Sequence, residues 1–470
     1  MTQADFSAYM PLVLLILGIL AILMMGAFVS NRYGTFIGLV SILAAALWAA
    51  LSAAPLAGPV PGFVFSPFAR FFTVLFCLVG ALTLLLAHAY NRRRGLAGEE
   101  FPATVLMATF GMVVLGGSEN LVHFFLGLEG LTFAFYILVA ADRRSPASSE
   151  AGFKFLLQGA TSAASIAFGI ALFYAAVGKL DITPAMQVVT AGGDQLPIAW
   201  AGWGFLLMGL AFKVSLVPAH LWTPDVYQGA PPPVTALLST GSKAAGFAAL
   251  LLLFAALGEG HVALHLPLRV LSLLSMVVGN LAALRQKNLP RMLAYSSIAQ
   301  MGYAALALLT GTREGFAAVA FFMAVYAAMN LAAFGSLSSM KGEVYTSRIE
   351  DFRGLGYQRP LQGAVLALAM VALAGIPPTA GFMGKFVVFA AALRAGEVAL
   401  AVIGIVTAIV SVYYYLRVVA ILYLQPVEGE AAAHHATLPE IMVLVAASAA
   451  ILCFGIYPGA LMDLVDSIFP

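Results

Sequence analysis

The chain has 470 residues, 62% hydrophobic and only 9% charged, with a mean hydropathy of +0.98. Soluble proteins carry about 25% charged residues, so this composition excludes a soluble enzyme, and it excludes a disordered chain as well. The net charge of +2 gives no sign of nucleic-acid binding.

A membrane-spanning helix needs about 20 mostly apolar residues. About fourteen such runs follow one another, at 10–29, 34–54, 68–90, 101–117, 119–141, 151–177, 198–229, 232–257, 262–284, 290–310, 314–340, 361–395, 398–424 and 438–464. The fold class is therefore an all-α polytopic membrane protein. The opening MTQADFSAYM lacks the basic start of a signal peptide, so the first run reads as the first span. Cys77 and Cys453 both lie inside apolar runs, which argues against a disulfide framework. The connections hold no nucleotide-binding loop, Rossmann fingerprint or cysteine cluster, so redox or nucleotide chemistry belongs to other chains.

Two runs are irregular. The seventh contains Pro218 and then HLWTPDVYQGAPPP, and the twelfth carries Pro377 and Pro378 in AGIPPTAGF. Proline removes a backbone donor and clashes with the preceding turn, so both helices are expected to break. The breaks lie five spans apart, the spacing of an internal repeat. Five is odd, so successive repeats enter the membrane in opposite directions, and paired breaks in inverted halves point to a transport site. The chain then divides into residues 1–96 (spans 1–3), 97–258 (first repeat, spans 4–8), 259–426 (second repeat, spans 9–13) and 427–470 (span 14).

Basic residues set orientation. The connections and flanks after odd-numbered spans hold Arg32, Arg92, Arg93, Arg94, Arg143, Arg144, Lys154, Arg285, Lys287, Arg291, Lys341, Arg348, Arg353 and Arg359. The opposite side holds Arg70, Lys179, Arg269, Arg313 and Arg394. Fourteen against five predicts both termini outside the cytoplasm.

Four basic residues remain, Lys213, Lys243, Lys385 and Arg417, and Glu129 is the one acid deep in a span. Glu129 sits ten residues past Glu119, or about 15 Å at the helical rise, near the middle of a ~30 Å hydrocarbon core. Each such charge costs about 2.5–3.5 kcal/mol on insertion scales. An ion pair that merely joins two helices would account for Glu129 and one lysine. A proton relay accounts for Glu129 and the three lysines together: burial disfavours a charged lysine, a nearby carboxylate favours it, and moving the partner switches its proton affinity. Glu129 and Lys213 then form the switchable pair, Lys243 the middle and Lys385 the exit.

Other polar residues carry less weight. His220 reads either as a proton link between Lys213 and Lys243 or as a cap on broken backbone. Tyr295, Ser296, Ser297 and Gln300 offer hydroxyl and amide positions for ordering water, although serines in membrane helices commonly bond backbone carbonyls. Arg417, beside Tyr413, Tyr414 and Tyr415, reads as an interfacial anchor, Asp225 as a helix cap, and His123 as ordinary packing. His434 and His435 show no pattern of a metal site.

These residues sit in long recognisable segments: FFLGLEGLTFAFYILVA around Glu129, FKVSLVPAHLWTPDVYQGAPPPVTALLSTGSKAAGF across Lys213 and Lys243, GNLAALRQKNLPRMLAYSSIAQMGY, and AGIPPTAGFMGKF around Lys385. From about residue 100 to 425 they resemble the antiporter-like membrane subunits of respiratory complex I, the proton-translocating NADH:quinone oxidoreductase. WTPDVYQGAP separates this chain from sister branches and from Mrp-type antiporter subunits, which usually read closer to WLPDAHTEAP.

The resemblance implies a fourteen-helix fold with two inverted five-helix repeats and broken seventh and twelfth helices, without a long lateral helix extension. It implies proton movement through this chain, driven by quinone reduction elsewhere in a complex. No cofactor is then expected on this chain, while NADH, FMN, iron–sulfur clusters and quinone belong to partner subunits. Those partners are other membrane and peripheral subunits, further antiporter-like ones among them, in a bacterial inner membrane. Residue by residue, Glu129 and Lys213 match the family's acid–lysine pair, Lys243 its connecting lysine, Lys385 the lysine of the second half, and His220 the histidine near the first break. Gln300 departs from the pattern, standing where a histidine is frequent.

The competing readings are a sodium–proton or other cation antiporter subunit and a related pump fed by ferredoxin or deazaflavin. A transporter of organic solutes and a structural scaffold are the others. A sodium site favours extra buried carboxylates, a solute site needs polar ligands at the breaks, and a scaffold needs no mid-membrane charge.

Overall fold

The computed structural model describes residues 8–28, 33–52, 56–57, 62–96, 98–191, 196–258, 262–340, 348–426 and 436–469. Most of the N-terminal segment, Arg32, Lys341, His434 and His435 lie outside the described residues.

Fourteen helices, two of them broken, build the described chain: α1 (Met10–Phe28), α2 (Gly34–Leu51), α3 (Pro67–Arg94), α4 (Glu100–Gly116), α5 (Leu121–Val139), α6 (Pro146–Val177), α7 (Leu196–Val214 and Trp222–Gly229), α8 (Pro232–Leu257), α9 (Val262–Leu284), α10 (Leu289–Leu308), α11 (Arg313–Met340), α12 (Pro360–Ala374 and Ala380–Arg394), α13 (Val398–Leu424) and α14 (Leu438–Ile456). Among the described residues, eleven helices, the first half of α7 among them, are long and apolar enough to cross a membrane. The expected spans thus correspond to helices, with both breaks where the prolines stand. Two boundaries differ. The sixth run, expected from 151, already starts at Pro146 after the Ser145 cap. The fourteenth run, expected over 438–464, ends at Ile456, and a separate helix Gly459–Ser467 follows Pro458, whose missing N–H stops the longer helix. A short helix, Ile182–Ala191, and a two-residue ribbon pairing Leu56–Ala57 with Val64–Phe65 lie in the connections.

Starts are written locally. Ser66 and Ser145 accept hydrogen bonds from the N–H groups of Ala69 and Ser148, each followed by a proline at the first helical position of α3 and α6. Burial then orders the helices: 94% of the α11 window is buried but only 22% of the α6 window, so α11 is central and α6 lies at the rim.

The internal repeat is visible in the backbone. Asn120 caps α5 and forms an isolated antiparallel bridge with Asp181, while Asn288 caps α10 and bridges Arg348 in the same way. Ile182 N–H bonds Glu119 O at 2.8 Å, and Ile349 N–H bonds Lys287 O at 2.8 Å. The breaks match as well. Leu216 N–H returns to Ala211 O and Ile376 N–H to Val371 O, with Ser215 and Gly375 at positive φ just before them. In both halves a glycine draws the first two helices together. A Cβ on Gly111 would stand 2.5 Å from Leu131 N, and one on Gly279 2.6 Å from Ala299 N, both rigid backbone.

Gly279→Val is therefore expected to destabilise the chain by about 1–3 kcal/mol or more through overpacking, read as a lower thermal midpoint of the purified chain in detergent. Gly204→Ala, with open space at its Cβ, should hold or raise the midpoint, since alanine favours a helix interior.

Candidate functional site

The first half of α7 ends at Val214, and its last carbonyls have no helical partner further along the chain. Lys213 lies in that last turn and its side chain crosses to α5. Its ammonium donates to Glu129 Oε1 at 2.9 Å and to Thr132 Oγ1 at 2.7 Å. Thr132 stands one helical turn beyond Glu129, on the same face, and its own hydroxyl donates to Leu128 O at 2.5 Å. The pair is buried on both sides, with side-chain exposures of 5% and 11%. Thr132 was not legible as a ligand in advance; its i+3 spacing from Glu129 was the available signal.

Lys243 opens the regular part of α8 directly after a π-helical turn, Leu238–Ser242. An extra residue in a turn rotates everything after it by about 100°, and here the rotation accompanies a fully buried lysine aimed at the α7 break. Its ammonium contacts Ser215 Oγ, lies 3.4 Å from Lys213 O, and sits 4.7 Å from the Trp222 ring centroid. Trp222 opens the second half of α7 and donates its indole N–H to Phe212 O at 3.0 Å. The ammonium thus faces a helix C-terminus, an aromatic face and a hydroxyl, all of which favour a cation.

The second break repeats this arrangement with a lysine from a different place in the chain. Lys385, on the second half of α12, donates to Leu373 O at 2.8 Å and Ala374 O at 2.9 Å, the carbonyl end of the first half. The Tyr303 ring centroid is 5.7 Å away. Leu373 O also accepts from Gln300 Nε2 at 3.1 Å, and Gln300 reaches Tyr415 OH at 3.3 Å. Tyr415 further contacts Ser296, and Tyr227 OH lies 3.3 Å from Ser297 Oγ.

Glu129, Lys213 and Lys243 therefore form one cluster, and Lys385 stands apart at the second break. His220 falls in the turn after Pro218 with Nδ1 3.3 Å from Pro218 O, and neither lysine is among its hydrogen-bond partners.

Arg417 is half-buried, its guanidinium donating to Gln286 O at 3.4 Å. Of the tyrosines beside it, Tyr414 and Tyr415 are buried, Tyr414 donating to Asn280 Oδ1 at 2.9 Å, and only Tyr413 faces outward, 65% exposed. Successive helical residues turn by about 100°, so a run of tyrosines cannot share one face. Asp225 is no simple cap. It pairs with Lys154 at 3.0 Å and Arg291 at 2.6 Å, joining α6, the second half of α7 and α10.

Removing one member of the buried pair strands the other. Glu129→Leu is expected to cost about 3–5 kcal/mol, and the double variant Glu129→Leu/Lys213→Met to recover most of that loss. Thermal unfolding of parent, single and double variants measures the coupling; additive effects would contradict it.

Residues 118–411 match the family model described as NADH:quinone oxidoreductase/Mrp antiporter, transmembrane. The chain is 58% identical over 468 residues to NADH-quinone oxidoreductase subunit N of Geotalea uraniireducens, covering 100% of both chains. A chain of respiratory complex I from Thermus thermophilus superposes with a TM-score of 0.84 at 35% identity, over 97% of this chain and 99% of that one. A chain of the Mrp complex from a Dietzia species superposes with a TM-score of 0.88 at 20% identity, over 100% of this chain and 97% of that one, a likeness of fold.

Proposed function

Because the chain belongs to the NADH:quinone oxidoreductase/Mrp antiporter membrane family, we propose that it is the N-type proton-translocating subunit of an NADH:quinone oxidoreductase. The observation that carries this is the buried Glu129–Lys213 pair set against a broken helix whose end also holds Lys243. Full-length identity to a curated subunit N supports the same reading.

Protons move through residues of this chain, and the redox work is done elsewhere. NADH, FMN, iron–sulfur clusters and quinone reside on partner subunits, and this chain contributes a membrane path alongside other antiporter-like subunits. Glu129 is the switch. Close to Lys213 it stabilises the ammonium; drawn away or neutralised, it releases the lysine to give up its proton. Lys243, whose ammonium lies against the same helix end, is the next acceptor, and Lys385 is the terminal one. His220 serves as the link on the side of the first break. Gln300, standing where a histidine is frequent in this family, donates to Leu373 O, the carbonyl that also receives Lys385, and a glutamine does not titrate.

The functional units are residues 97–258 and 259–426, flanked by 1–96 and 427–470. Fourteen basic residues against five support cytoplasmic exposure of the connections after odd-numbered helices. Both termini then lie on the periplasmic side of a bacterial inner membrane. A sodium antiporter would coordinate its ion with several oxygen ligands, whereas the one deep carboxylate, Glu129, is already paired with a lysine.

Purification of the tagged chain in mild detergent should bring down flavin, iron–sulfur and further membrane subunits, identified by mass spectrometry; recovery of antiporter subunits alone would replace the redox reading with cation exchange. In membrane vesicles, Lys213→Ala and Glu129→Gln are expected to lower NADH-driven proton pumping about 100-fold in an assembled complex, in proportion to the loss of a charge-assisted pair. Normal pumping by an assembled double variant would overturn the relay.

A further inference from the structure

Ser215 is the one non-glycine residue at positive φ among the described residues, with φ of 64°. Side chains rarely tolerate that conformation, and glycine is its usual occupant. Its counterpart at the second break is glycine: Gly375, with φ of 83° and the same return hydrogen bond. The two breaks are an experiment within one molecule, with the same backbone turn built once with a side chain and once without.

The surroundings account for the difference. At the second break the lysine comes from α12 itself, and a Cβ on Gly375 would stand 2.9 Å from Lys385 Cδ. The lysine stem already fills that space. At the first break the lysine arrives from α8, and the space beside the carbonyl end holds the Ser215 hydroxyl. That hydroxyl contacts Lys243 Nζ on one side and lies 2.6 Å from Thr223 Oγ1 on the other. Thr223 belongs to the second half of α7, and both hydroxyls are fully buried. Because Ser215 Oγ accepts from the ammonium, its own proton is free to point at Thr223.

We propose that Ser215 is a positioning residue of the proton relay, its hydroxyl holding the Lys243 ammonium against the carbonyl end of the first half of α7 and tying it through Thr223 to the second half. A glycine would suit the turn better, so the hydroxyl stands there for what it touches. Lys243 is thereby linked to both sides of the break, and a shift of either half changes what faces its ammonium.

The inference rests on Lys243 carrying protons, so its test includes K243A. Proton pumping per NADH oxidised is measured in membrane vesicles holding the complete complex with S215G, S215A, T223V, T223S or K243A. S215G and S215A are expected to lower that ratio roughly tenfold, the size of one hydrogen bond to a charged group. S215G should still assemble with a thermal midpoint near the parent's, because relief of the positive φ offsets the lost hydrogen bonds of the hydroxyl; a purely structural serine would lose stability and pumping together. T223V should lose pumping and T223S should restore it. If K243A pumps normally, the relay itself is refuted. If K243A abolishes pumping while S215G and S215A match the parent, the relay stands and the role of Ser215 is overturned.

Discussion

The rest of the site depends on the carbonyl ends of two helices that stop inside the bundle. A helix C-terminus carries roughly half a negative charge on unsatisfied carbonyls, and in the interior of a membrane protein those groups need protein partners. The first halves of α7 and α12 both end this way, at Val214 and Ala374. In both, a lysine ammonium meets the exposed carbonyls: Lys243 at Lys213 O, and Lys385 at Leu373 O and Ala374 O. The break thus makes a buried lysine tolerable, and the lysine makes a buried break tolerable.

The Glu129–Lys213 pair is a different kind of feature. Desolvating two charges costs several kcal/mol per ion, and well-packed apolar residues commonly serve stability as well or better. A pair kept in that position is therefore poor evidence of a stability role. Thr132 adds a neutral hydrogen bond to the ammonium beside the carboxylate.

The two repeats share a backbone and differ in chemistry. Counted from the capping residues Asn120 and Asn288, the position of Glu129 corresponds to Ser297, so α10 has a hydroxyl where α5 has its acid. Counted from the breaks, Lys213 corresponds to Leu373, and the second lysine is supplied from beyond the break. One half therefore holds an ion pair and the other a lone ammonium among carbonyls, an amide and tyrosines. The two halves are thus alike in backbone and unlike in their buried charges.

The spans, the breaks and the four deep charges were legible in the amino-acid sequence because each rests on a local and costly physical fact. Twenty apolar residues, a proline in mid-helix and a charge in hydrocarbon leave marks that no context erases. Which face of each helix points inward was not legible. In a membrane helix the lipid-facing and protein-facing sides are both apolar, so the amphipathic signal that orients a soluble helix is lost. Tyr414 turned inward to Asn280, and Asp225 found Lys154 and Arg291 on other helices rather than its own helix end. Thr132, the π-helical turn before Lys243 and the positive φ of Ser215 likewise leave no mark in hydropathy. The sequence by itself determined that charges lie within a bundle with two broken helices. Only the tertiary structure decided which carbonyl, carboxylate or hydroxyl each charge meets, because those partners come from helices far apart in the chain and are selected by packing.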